Sequence, residues 1–315
     1  MNEAGKAVLK TIVYYDCLDY PLTKEELEVF SFRDDKEDNS DLIEGSDGLY
    51  FLKGRRNLIE TRKERNKLAK KKWKKALKAA RLFRFVPYIR LVFGSGSLAL
   101  GNTDKDSDLD VLIVVKSGRI WTTRFLTVVL LGLLGLKRKR GQKIAPDKIC
   151  LNHFITDRSL YIPRKSIYTA QLYAHLVPIL TDDENLIYKF CEANSWVGDY
   201  VKAGLEEVES KRPELRNAGI AESVKKIGEK ILDARFGDWI ENVLRKYQFR
   251  RINNFYLTHK PGGRIKADNE SLEFHPGSPE LKIIEKYNKK MVELGFPGLA
   301  NEPDSGLTRE ISSAK

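Results

Sequence analysis

An apolar strand that opens on two carboxylates constrains this chain more than any other feature of its sequence. Asp108-Leu109-Asp110 runs into Val111-Leu112-Ile113-Val114-Val115. The stretch from Leu109 to Val115 is apolar almost without interruption, which predicts a buried central strand. Residues i and i+2 of a strand project to one face, with Cα atoms about 6.6 Å apart. Two negative charges side by side at the mouth of such a strand are costly unless something neutralises them. Carboxylates so placed suit a hard cation such as Mg2+, which takes oxygen ligands at about 2.1 Å. Just upstream, Gly96-Ser97, Ala99 and Gly101 form a glycine-rich turn leaving a strand predicted at 89–93. Glycine there lets backbone N–H groups approach a phosphate without a Cβ in the way, and the Ser97 hydroxyl adds a donor. The alternation of Asp104, Asp106, Asp108 and Asp110 superficially suits a calcium loop. An EF-hand starting at Asp104 needs Gly sixth and Glu twelfth. Leu109 and Val115 stand there instead, which excludes it. The plainer reading is a polar turn whose aspartates cap backbone groups.

Charge is the second constraint. The 315 residues carry a formal +12, but Lys53 to Arg84 holds fifteen Lys and Arg against two Glu, or +13, leaving −1 for the remainder. Leu58, Arg62, Arg65, Ala69, Trp73, Ala76, Leu77 and Ala80 recur at three- and four-residue steps, predicting one amphipathic helix with a narrow apolar seam. Its lysines read either as a solvated face or as a platform for phosphates, with Lys70, Lys71, Lys72, Lys74 and Lys75 as candidate nucleic-acid contacts. A second basic cluster, Lys137 to Lys143, extends the platform in that reading.

The rest of the chain excludes several classes. Cys17, Cys150 and Cys191 are few, distant and odd in number, so neither a disulfide scaffold nor a Cys-x-x-Cys zinc site is expected. No apolar leader opens the sequence, and the longest apolar run, 125–136, is about half a membrane span. A reduced, cytoplasmic protein with no membrane partner is the expectation.

Helical spacing at 7–15, a break at Pro21, and Thr23 with Glu26 as a capping box predict two helices, followed by a strand at 49–52. That order suggests a small winged-helix-like module. The segment 32–47, where a DNA-reading helix would lie, holds seven acids and two bases, so packing or docking is its expected role. Further along, the pattern predicts a helix at 125–136, a strand at 149–156, helices at 168–180, 186–193, 224–256 and 280–294, and an irregular connection at 260–278.

Gly-Ser, ten residues, then Asp-x-Asp between apolar neighbours resembles the signature of the polymerase-beta-like nucleotidyltransferase superfamily. GSLALG…SDLDVLIV is especially similar to its minimal and aminoglycoside-type members. The match spans about residues 88–157. More loosely, YYDCLDYPLT and YFLKGR liken the whole chain to bacterial and archaeal nucleotidyltransferase-domain proteins of unassigned substrate. The resemblance implies an α/β (α+β) fold: a nucleotidyltransferase core with a mixed sheet, between the N-terminal module and a helical C-terminal region. The expected division is 1–52, a basic linking helix at 53–87, the core at 88–165, helices at 166–300 and a flexible tail at 301–315.

By the same resemblance the activity is Mg2+- or Mn2+-dependent transfer of a nucleoside monophosphate from an NTP to an unknown acceptor, releasing pyrophosphate. The acceptor is a small molecule, protein or RNA. Asp108 and Asp110 would be the catalytic metal ligands, and Gly96 and Ser97 would hold the β and γ phosphates. Lys105 and Arg119 are placed near the triphosphate on charge alone. Members usually add a third carboxylate from a later strand, but the corresponding strand, ICLNHFIT, has Asn152 at its centre. An amide can ligate a cation but cannot usefully accept a proton. Asp147 and Asp157 lie five residues to either side, about 16 Å along a strand. His153 should point away from Asn152 by strand parity. The missing acid is therefore sought in Asp182, Asp183 or Glu184, or in the substrate. The alternative is a catalytically impaired protein that binds nucleotide or nucleic acid.

Overall fold

The computed structural model describes residues 8–35, 40–142, 144–216, 218–259, 264–299 and 310–311. Lys143, Pro261, Gly262, Gly263 and nearly all of the tail at 301–315 lie outside these described residues, as do residues 36–39 of the acidic segment.

The first unit holds α1 (Leu9–Cys17), β1 (Leu22–Thr23), α2 (Lys24–Phe30), β2 (Ile43–Ser46) and β3 (Leu49–Leu52), its strands pairing antiparallel in the order β1-β3-β2. The Thr23–Glu26 capping box forms as predicted: the Glu26 N–H donates to Thr23 Oγ1 (3.2 Å) and the Thr23 N–H to Glu26 Oε2 (2.9 Å). Among the described residues of 32–47 there is a single 3-10 turn and β2, and no helix that could enter a groove. The basic segment is one helix, α3 (Leu58–Ala80). Its N-terminal end buries Leu58 and Ile59 against Leu49 and Phe51. Its C-terminal end buries Ala76, Ala79 and Ala80 in the main core.

The main sheet is built on β4 (Ile89–Ser95), β5 (Leu109–Val115) and β6 (Ile149–Thr156), with the short α4 (Gly96–Ala99) after β4 and α5 (Ile120–Leu133) joining β5 to β6. Strands β4 and β5 are antiparallel, while β5 and β6 are parallel, because a fourteen-residue helix makes the crossover. The sequence placed this helix at 125–136. It starts five residues earlier, where Glu241 accepts the N–H groups of Trp121 and Thr122 in its first turn (2.9 and 2.8 Å).

The C-terminal half supplies α6 (Ile167–Ala174), β7 (Val177–Thr181), α7 (Asn185–Ala193), α8 (Glu206–Ser210), β8 (Leu215–Arg216), α9 (Gly219–Leu232), α10 (Arg235–Asn253), β9 (Arg264–Ala267), β10 (Ser271–His275), α11 (Glu280–Glu293) and β11 (Glu310–Ile311). The sheet order is β11-β9-β10-β6-β5-β4-β7-β8. Three expectations are corrected here. The helix read over 168–180 ends at Ala174, because Pro178 cannot continue it, and 177–181 joins the sheet beside β4. The helix read over 224–256 is two helices. Gly237 takes the sharp bend between them, where an added Cβ would fall 1.6 Å from the Leu232 carbonyl oxygen. The connection at 260–278 contains the β9–β10 hairpin, so the C-terminal region is not purely helical, and one sheet spans the boundary drawn at 165.

Alternation along β5 sets the two faces. Leu109, Val111, Ile113 and Val115 meet residues of α3, α5 and α10, while Leu112 and Val114 meet those of α6 and α7. Asp110 shares the second face. Among the described residues no helix is long and apolar enough to cross a membrane.

Candidate active site

β4 and β5 are antiparallel, so the end of one meets the start of the other, and Ser95 stands opposite Asp110. Ser95 therefore shares the carboxylate's face. The sequence reading passed over it in favour of Gly96-Ser97, and only the cross-strand register reveals it. Gly94, on the opposite face, lies against Trp73 of α3, where a Cβ would come within 2.7 Å of the ring. Gly96 has φ +67°, and a Cβ there would sit 2.5 Å from Asp110 Oδ2. Glycine is thus required twice over, for the left-handed backbone and for the close approach of the carboxylate. Ser97 lies in α4, half-buried, with its carbonyl accepting from the Asn102 N–H (2.8 Å).

The N-terminal unit holds this turn from outside. Tyr20 Oη donates to the Leu100 carbonyl (2.6 Å), Asn102 Nδ2 donates to the Leu18 carbonyl (2.9 Å), and Arg65 of α3 donates to Asn102 Oδ1 (2.7 Å). Loop 102–108 is a polar turn, as the plainer reading supposed for part of it. Asp104 Oδ1 accepts from the Asp106 N–H and the Ser107 hydroxyl (2.9 and 2.8 Å).

Asp108 and Asp110 do come together, and Cys150 joins them: one donor atom of each lies within 4.8 Å of the others. Cys150 is the register partner of Asp110 across the parallel β5–β6 ladder. Asn152 Nδ2 donates to Asp110 Oδ1 (3.0 Å), which brings the amide against the acid pair. Burial, and then the neighbouring Asp108 charge, hold the Asp110 carboxyl well above the ordinary carboxylate range. Arg138 answers that charge. Its Nη1 donates to Asp108 Oδ2 (2.6 Å) and lies 3.7 Å from Cys150 Sγ, while Nε and Nη2 are held by the Gln142 carbonyl (3.0 and 2.8 Å). The sequence reading counted Arg138 only as one of a basic cluster.

Several candidates stand elsewhere. Arg119 is ion-paired to Asp238 (2.7 Å) beside Tyr88, past the far end of β5. Lys105 is exposed on the loop before Asp108. Asp182 meets Arg90 and Lys225 at the start of β4, and Glu184 pairs with Arg212 and Arg216, so that acidic run lies at the wrong end of the strand to supply a third acid. His153 does not point away from the Asp110 face, as parity predicted. The ladder shifts register between Asp110 and Leu112, so that His153 pairs with Leu112 on the same face. There it joins Glu273 and His275 of β10, and burial pushes its imidazole down to about 4.

The basic helix is only partly available. Arg62 is buried, donating to Glu26 (2.7 Å) and the Pro21 carbonyl (3.0 Å) and lying over the Tyr20 ring. Lys72 is also buried, against expectation: its Nζ donates to the carbonyls of Ser107 (2.7 Å) and Lys105 (3.1 Å) and pairs with Asp147 (3.1 Å). Lys75 pairs with Asp147 as well, whereas Lys70, Lys71 and Lys74 are exposed. Lys72→Ala should therefore cost about 1 to 3 kcal/mol in urea unfolding, since it takes the donor from two carbonyls while Asp147 keeps Lys75. Lys71→Ala should cost under about 0.5 kcal/mol.

Residues 70–152 match the family model described as a nucleotidyltransferase domain. The chain carries a nucleotidyltransferase domain. The matched segment runs from mid-α3 to Asn152, so it takes in the glycine turn after β4 and the acid pair at the start of β5, and it excludes the N-terminal unit and everything beyond Asn152. Comparison with curated proteins and with solved structures gave no match.

Proposed function

We propose that this nucleotidyltransferase domain moves a nucleoside monophosphate from an NTP to an acceptor hydroxyl or similar nucleophile, with a divalent cation such as Mg2+ or Mn2+ on Asp108 and Asp110. The acceptor atom bonds to the α phosphorus as the bond to pyrophosphate breaks. One observation carries the reading: two carboxylates converge at the β4–β5 strand ends, directly against a glycine turn that leaves no room for a Cβ. The pair suits a cation on chemical grounds, because among the described residues one guanidinium, that of Arg138, is paired with it. When bound, the cation withdraws charge from the triphosphate and aligns its in-line displacement.

The chain's own groups do the rest. Gly96 and Ser97 offer backbone N–H groups and a hydroxyl to the outer phosphates, and Ser95 presents a second hydroxyl beside Asp110. Asn152 orients the Asp110 carboxylate through its amide and takes no proton itself. The acceptor's proton therefore passes to a group of the bound substrates or to solvent, since Asp182, Asp183 and Glu184 are engaged at the other end of β4. Lys105, exposed on the loop that ends in Asp108, would add positive charge on the approach to the triphosphate. Calorimetry with NTP and Mg2+ tests the binding half. Heat should be seen with the native chain and be lost in Asp108→Asn, and unchanged binding in that variant would overturn the reading.

A further inference from the structure

We infer that Cys150 is a third ligand of the cation site, giving it a mixed oxygen–sulfur donor set that favours a borderline divalent ion such as Co2+ or Zn2+ over Mg2+. This rests on the reading of Asp108 and Asp110 as metal ligands and adds to it the identity of the metal.

Placement is the first support. In a parallel ladder, register partners share a face, and Cys150 is the residue opposite Asp110 on β6. Its sulfur and one oxygen from each carboxylate lie within 4.8 Å of one another, a span that one ion bonded to all three can bridge with small side-chain rotations. Cys17 and Cys191, by contrast, are buried in other clusters, and the acids nearest Cys17, Asp16 and Asp19, are both paired to Arg55.

The second support is the charge already standing there. Arg138 Nη1 is 2.6 Å from Asp108 Oδ2 and 3.7 Å from Cys150 Sγ, so a positive group occupies the space between the carboxylate and the sulfur. Arg138 is about one-third exposed and anchored by the Gln142 carbonyl, outside the acid pair. It can swing toward solvent when an ion takes its place. The buried Arg264 has no such freedom: it pairs with Glu273 inside the His153–Glu273–His275 cluster, which makes that cluster a poorer home for a cation.

Thiolate is a soft donor and carboxylate a hard one, so replacing the usual third oxygen with sulfur moves the preference along the divalent series. Ligation breaks the S–H bond and forms the metal–sulfur bond, the proton passing to buffer with no change in oxidation state. Asn152, next along the same face, then serves to orient Asp110 and is not itself a ligand.

The test uses the full chain in a phosphine reductant, with Co2+ alone as the probe. A sulfur-to-cobalt charge-transfer band should rise in the near ultraviolet and saturate at one equivalent. Cys150→Ser should lose the band yet still bind Mn2+ through the carboxylates, and its preference for Zn2+ over Mg2+ should fall about tenfold or more. Cys150→Asp, which restores oxygen, should lose the band and gain Mg2+ affinity. If the native chain binds Mn2+ but gives no band, or if the band survives in Cys150→Ser, the inference is overturned while the nucleotidyl-transfer reading stands. If neither ion binds the native chain, both are overturned.

Discussion

Asp110→Asn should abolish nucleotidyl transfer while leaving the fold as stable as before, or more so. The two effects have opposite origins in one carboxylate. In catalysis, removing a negative ligand weakens the hold on a cation that stabilises the charge of the transferring phosphoryl group. A loss of about 4 kcal/mol there corresponds to roughly a thousandfold in rate. In folding, the same charge is a burden. Burial and the Asp108 charge raise the folded-state pKa of Asp110, so the ionised form is disfavoured in the native protein relative to the unfolded chain. A group with a raised pKa contributes stability below its unfolded value, and that contribution is lost as pH rises through the folded value. At neutral pH an uncharged amide of the same shape avoids this penalty, and its oxygen can still accept from Asn152 Nδ2. Turnover of labelled NTP in cell extract, alongside thermal melts at several pH values, separates the two effects. The melting temperature of the native chain should fall relative to Asp110→Asn as pH rises from the acid range toward neutrality. Retained turnover would sink the assignment of Asp110. Unfolding of Asp110→Asn would mean that the carboxylate is a structural partner and not a ligand held at a cost.

The acid pair and the glycine turn were legible because their information is local. The i and i+2 parity of a strand brings Asp108 and Asp110 to one face, and the glycines fall within a single turn. Asn152 was legible for a related reason, as it lies near the centre of a strand whose apolar pattern is itself local. Ser95, Cys150 and Arg138 were not, since each reaches the site through cross-strand register or a returning loop, which no spacing in the sequence encodes. His153 was misjudged for the same reason: one register shift reverses the parity on which the argument depended. The short strands β7, β9 and β10 were missed because four or five residues carry too little periodicity to stand out from turns. Pairing makes them strands: β7 with β4, β10 with β6, and β9 with β10. On the basic helix, charge counting could not distinguish Lys72 from Lys71. Only the fold shows that one faces the Ser107 carbonyl and the other water.

Gly96→Ala should damage turnover far more than one added carbon ordinarily does. The left-handed backbone at φ +67° costs an alanine about 1 kcal/mol. The added Cβ then meets Asp110 Oδ2 at 2.5 Å, with Asp110 Cβ and Cγ at 3.2 Å. The carboxylate cannot retreat freely, because Asn152 fixes one oxygen and β6 lies beside it. Either Asp110 rotates off its ligand position or the β4–α4 turn shifts away from the phosphates. A displacement near 1 Å in a reacting group costs on the order of a hundredfold in rate, with a stability loss of about 1 to 3 kcal/mol. Gly118→Ala isolates the backbone part of this effect. Its φ is +76°, no atom lies within 4 Å of the Cβ it would acquire, and it stands just beyond the far end of β5. That variant should lose about 1 kcal/mol in urea unfolding and keep its turnover. Should the two alanines prove equally active, the close approach to Asp110 has no part in catalysis, and Gly96 is there only to let the chain turn.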